Sequence, residues 1–129
     1  MAALNRAHAM ALIDASLATQ ALAASTSPIK CRLYTVVGTA STAGTECTGG
    51  SYTSQTVAFA ASTNADPPVA SSTTSPLSFT GMPACTVVAV ELWDNSPKRL
   101  WWGLLAASKV LNGGDTFQIA AGSLTCSLA

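Results

Sequence analysis

Apolar and polar positions are arranged in two different ways along this chain. Residues 3–24 hold no Gly or Pro and are rich in Ala, Leu and Met, all good helix formers. Met10, Ile13, Leu17 and Ala21 recur at spacings of three and four, with Leu4, His8 and Leu12 on an adjacent row, so the segment is expected to be one helix with an apolar stripe. From Pro28 onward the period shifts to two. Short alternating or apolar runs predict strands at Cys31–Val37, Tyr52–Phe59, Leu77–Thr80, Thr86–Trp93, Leu100–Leu105, Phe117–Ile119 and Leu124–Leu128. In the run ending at Trp93, simple alternation puts Val88, Val90 and Leu92 on one face and Val87, Ala89, Glu91 and Trp93 on the other. Turn residues separate the runs, and residues 61–75 read as a long surface loop. The expectation is a mainly β chain: an antiparallel β-sandwich or jelly-roll-like domain over 28–129, preceded by an N-terminal helix or arm over 1–27.

Composition narrows the role. The 129 residues include 6 basic and 6 acidic side chains, and charged residues make up 9% of the chain. Solubility rests on 15 Ser and 16 Thr. Zero net charge argues against a nucleic-acid binder, which would carry a basic stripe, and against electrostatic attachment to a membrane. A surface with little charge repels its copies weakly, so the chain is expected to associate. Ala21-Leu22-Ala23 has the form of a signal-peptidase site, but Asp14 and His8 interrupt the apolar core such a leader needs, so the segment is read as part of the protein.

Candidate chemistry is sparse. His8 is the single histidine, no Gly-x-Ser-x-Gly elbow surrounds any serine, and no spacing selects a carboxylate pair or a metal-ligand set. The expectation is a protein that is not an enzyme, with no cofactor and no metal. Cys31, Cys47, Cys85 and Cys126 contain no Cys-x-x-Cys, and their three pairings stay open. Trp101-Trp102 is the most informative local feature, because adjacent strand residues point to opposite faces. One indole can fill a core; the other is a surface residue, an interface anchor, or a sugar-stacking platform.

The order of the motifs resembles a known group. A Gly49-Gly50-Ser51-Tyr52-Thr53-Ser54-Gln55-Thr56-Val57-Ala58-Phe59 stretch follows the Ala-rich helix and a short strand. Leu77-Ser78-Phe79, Leu92-Trp93-Asp94, Gly114-Asp115 and Ala120-Ala121-Gly122-Ser123-Leu124 come after it. This series is similar to that of small virion proteins of tailed bacteriophages, either capsid decoration (cement) proteins or tail-fibre-like proteins. The four cysteines and Trp101-Trp102 depart from the group's pattern. The resemblance implies a structural protein made in the host cytoplasm and carried on the virion, with decoration of the phage head exterior as the first reading. It implies as partners the major capsid protein and further copies of the chain, most simply as a homotrimer. Met10, Ile13, Leu17, Trp101 and Trp102 are the candidate interface residues. A tail or head-fibre component is the alternative within this class, and a carbohydrate-binding β-sandwich module the alternative outside it.

Overall fold

The computed structural model describes residues 2–62 and 69–128. In chain order the elements are β1 (Ala2–Leu4), α1 (Arg6–Leu17), β2 (Lys30–Val36), β3 (Thr45–Glu46), β4 (Gln55–Thr56), β5 (Val69–Ser72), β6 (Leu77–Phe79), β7 (Cys85–Trp93), β8 (Arg99–Leu111), β9 (Phe117–Ile119) and β10 (Thr125–Leu128). One large antiparallel sheet runs β1-β8-β7-β2-β3, with β4 also pairing to β2. Two small sheets, β5–β10 and β6–β9, lie across it. Cys31, Leu33, Val90 and Leu92 from the large sheet meet Leu77, Phe79, Phe117 and Cys126 from the small ones in a single core. The fold is therefore mainly β, antiparallel and sandwich-like, with one helix among the described residues. Phe79 joins the layers, its ring 6.2 Å from that of Tyr52 and 6.1 Å from that of Phe117.

Several elements depart from the sequence pattern. The helix is shorter than the expected 3–24. Ala2–Leu4 pairs with Gly103–Trp101 as an edge strand instead, because a ladder partner outweighs the helical propensity of three residues ahead of the cap. Asn5 then caps the helix: its Oδ1 accepts the Ala7 N–H at 3.0 Å. Leu17 ends the helix, and Thr19 turns the chain with φ of 53°. Within the expected 61–75 loop, Val69–Ser72 is a strand paired with Leu128–Thr125, whereas residues 63–68 lie outside the described residues. The Tyr52–Phe59 run contributes only Gln55–Thr56 to the sheet. Its start is used otherwise: the Tyr52 hydroxyl accepts the Leu33 N–H, filling the gap on β2 between β4 and β3, and donates to Glu46. In β7 the register shifts between Val87 and Ala89, which returns Val87 to the core beside Val90 and Leu92. β8 extends well past Leu105, to Leu111.

The N-terminal segment is fastened at two places. Asn5 is buried; its N–H donates to the Leu100 carbonyl and its side-chain amide to that of Ala40, while the Arg6 N–H also reaches Ala40. Asn5→Ala removes a cap and strands a buried carbonyl, so it is expected to cost about 2 kcal/mol. Urea unfolding would show this as a lower midpoint at unchanged slope. Further along, Asp94 accepts the Thr26 N–H on one carboxylate oxygen and the Ser96 and Lys98 N–H groups and the Ser96 hydroxyl on the other. Burial opposes its charge, but these donors outweigh burial and hold the group down at about 2 against an ordinary 3.8. A folded-state value below the unfolded one stabilises at neutral pH. The contribution, on the order of 1–2 kcal/mol, is therefore lost as pH falls from about 4 to about 2. Thermal melts across that interval should fall more steeply for the native chain than for Asp94→Asn.

Candidate interaction surface

The outer face of the large sheet, turned away from the core, is built around one buried ion pair. β7 and β8 are joined by the turn at 94–98, which brings Glu91 and Arg99 together. Both side chains are almost wholly buried, with Arg99 Nη2 2.7 Å from Glu91 Oε1. The second carboxylate oxygen, Oε2, accepts the Trp93 indole N–H at 2.9 Å, and Oε1 also accepts the Gly44 N–H at 3.1 Å. Arg99 donates through Nη1 to the Thr39 carbonyl. The loop after β2 is thereby pulled down over the pair, and Gly44 makes this possible: a Cβ there would sit 2.0 Å from the Val36 carbonyl oxygen. Beside the pair, burial and then the Glu91 charge push the Tyr34 hydroxyl well above the usual tyrosine range. Arg32 lies over the Trp93 ring at 4.5 Å and reaches Glu46 at 3.7 Å. These charges neutralise one another and serve architecture.

Trp101 and Trp102 take opposite sides, as strand geometry requires. Trp101 packs against the core opposite Leu92 and lines a cavity of about 400 Å³ together with His8, Ile29, Phe59, Leu100 and Cys126. Burial, with Lys98 nearby, lowers the His8 pKa, which disfavours its charged form. Trp102 lies on the outer face opposite Glu91, with the Arg99 guanidinium 5.6 Å from its ring. Both indoles are half-buried. Neither stands out as the open flat ring that sugar stacking uses.

Uncovered apolar surface is found elsewhere. No residue of α1 is buried. Met10, Ile13 and Leu17 are 56, 59 and 79% exposed, all on one stripe. The other region is β8 beyond Gly103. β1 pairs only as far as that residue, and among the described residues no strand covers the outer edge of β8 from Leu104 onward. Between its pairings to Ala89 and Val87, β8 has four residues, Leu105–Ser108, where β7 has only Val88, an excess of three. Leu104 and Val110 stand exposed there. Alongside runs a groove of about 600 Å³ whose apolar walls are Leu105, Ala106, Phe117, Ile119 and Leu124. Of the expected interface residues, then, the three helical ones lie bare together and the two tryptophans are half-covered on opposite faces. The groove and the bare edge of β8 were missed, because residues 106–111 carry no clean alternation. Among the described residues no group of His, Cys, Asp and Glu could hold a metal, and no helix is long and apolar enough to cross a membrane.

A small, almost chargeless antiparallel β protein with a bare apolar helix and a bare strand edge has the make-up of an assembly subunit. The comparison with known families agrees: residues 3–127 match the family described as podophage GP4 fiber I protein gp80. The chain belongs to this family and is a structural protein of the bacteriophage virion. No curated protein matches it.

Proposed function

We propose that the protein is a subunit of an external fibre of a podophage particle, joined to neighbouring subunits through the exposed stripe of α1. The observation that carries this reading is a twelve-residue helix with no buried residue, in a chain whose family is described as a fibre protein. A helix this short is marginal on its own, and an apolar stripe left in water gives it no tertiary support. Covering Met10, Ile13 and Leu17 would supply both. The simplest arrangement is a closed homo-oligomer, for which a trimer is the proposed form. The protein acts here by binding, without catalysis or cofactor.

The competing arrangement is decoration of the head exterior through the major capsid protein. Low charge and bare apolar surface support it as well, but the family description favours the fibre. Substituting all three stripe residues, Met10→Ser, Ile13→Ser and Leu17→Ser, separates assembly from folding. The triple variant is expected to melt within a few degrees of the native chain, because none of the three residues packs on the core. Its self-association, followed by sedimentation, should weaken by about 100-fold or more. Assembly at native strength in the triple variant would overturn the reading. Antibody labelling of particles separates the two locations: signal on projecting fibres supports the proposal, and signal spread over the head lattice supports decoration.

A further inference from the structure

The four cysteines play no part in the assembly surface, yet the fold sorts them. Cys47 follows β3, and its N–H donates to the Leu33 carbonyl at 2.8 Å, which fixes it against β2. Cys85 opens β7. Their sulfurs lie 3.0 Å apart as a hydrogen-bonded thiol pair, although 38 residues separate them in sequence. Cys47 is buried in the core, and Cys85 is half-buried at its rim. Cys31 and Cys126 are both buried, on the large sheet and on β10, and each has its thiol pushed up by burial. Among the described residues, the pair has no further ligand with which to form a metal site.

We propose that Cys47 and Cys85 are an oxidative cross-linking site, which forms a disulfide when the protein meets a low-molecular-weight disulfide. The two sulfurs need only a small approach, whereas most cysteine pairs in a fold are held too far apart. The half-exposed thiol reacts first. Cys85, as thiolate, attacks one sulfur of the small disulfide and expels a thiolate, giving a mixed disulfide. Cys47, losing its proton to solvent, then attacks the Cys85 sulfur and expels the second thiolate. Two protein thiols lose two electrons, the small disulfide is reduced to two thiols, and the two protons end on those thiols. Burial, reinforced by the hydrogen bond between the two thiols, pushes the Cys47 thiol up to about 12, which keeps Cys47 protonated and leaves the first attack to Cys85. A virion protein leaves that interior at lysis and enters conditions in which disulfides persist. The bond would tie the start of β7 to the segment after β3 and close a loop containing β4, β5 and β6.

The test incubates the folded full-length protein with oxidised glutathione, then denatures it, alkylates free thiols and maps it after chymotrypsin, which cuts between the two positions. The expected result is a linked peptide pair containing Cys47 and Cys85, with alkylation confined to Cys31 and Cys126. The melting temperature should rise by about 10 °C, return with dithiothreitol, and not rise in Cys85→Ser. Full alkylation of Cys47 and Cys85 after oxidation, or a link from either to another cysteine or to a second chain, would overturn the proposal. The peptide map of the native chain decides even if the serine variant fails to fold.

Discussion

Replacing Glu91 with leucine is expected to remove about 4 kcal/mol of stability, within the range seen when one partner of a buried ion pair is deleted. Three groups depend on that carboxylate. Arg99 would be left as a buried cation with no counter-charge, and the Gly44 N–H and Trp93 indole N–H would lose their acceptor. Arg99→Met should cost less, because Glu91 would still accept from Gly44 and Trp93. A double variant, Glu91→Leu with Arg99→Met, should recover part of the loss but not all of it. Removing both charges ends the desolvation cost, yet the two orphaned N–H groups remain. Urea unfolding of the three variants at neutral pH gives this ranking directly. Equal losses for both single variants would show that the pair does not organise the face as described.

The second large effect is expected at Gly44. A methyl group there meets the Val36 carbonyl at 2.0 Å and the Gly38 N–H at 2.8 Å, and both contacts are with backbone that no side-chain rotation can relieve. Gly44→Ala must lift the loop from the sheet, break the N–H bond to Glu91 and expose the ion pair. A loss of about 3 kcal/mol is expected from the crowding and the broken bond together. The same loop holds Thr39 and Ala40, which receive bonds from Arg99, Asn5 and Arg6. The variant should therefore also loosen the N-terminal segment, seen as faster amide hydrogen exchange at Asn5 and Arg6. A native exchange rate at those amides, with stability unchanged, would contradict the coupling.

How far the sequence foretold this arrangement differs from element to element. The strands with clean alternation, such as Leu77–Phe79 and Phe117–Ile119, were legible because each buries one face and wets the other. Val69–Ser72 was not, since its Ala and Ser among turn residues take a strand conformation only when a distant partner, β10, supplies the ladder. The N-terminal segment carried two messages. Its composition favoured a helix from residue 3, while Asn5 in the capping position marked the true start. The irregular register between β7 and β8 inverted the expected side for Val87, because unequal numbers of residues between two pairings break the simple alternation. On the candidate surface, the Met10, Ile13 and Leu17 stripe could be read from spacing alone. That it faces water, and that it is joined by the unpaired edge of β8, depends on what packs where, which spacing does not encode. In the sequence Glu91 reads only as one position on a strand face, because its partner Arg99 lies across a turn.

The bare stripe of α1 is proposed as the surface by which this fibre-family protein is built into its particle. The most direct measurement is a cryo-electron microscopy map of the intact phage, with the chain placed in its density. Density for the fold is expected in a projecting fibre, with Met10, Ile13 and Leu17 covered by a neighbouring subunit. Density for the fold with that stripe facing open solvent would contradict it.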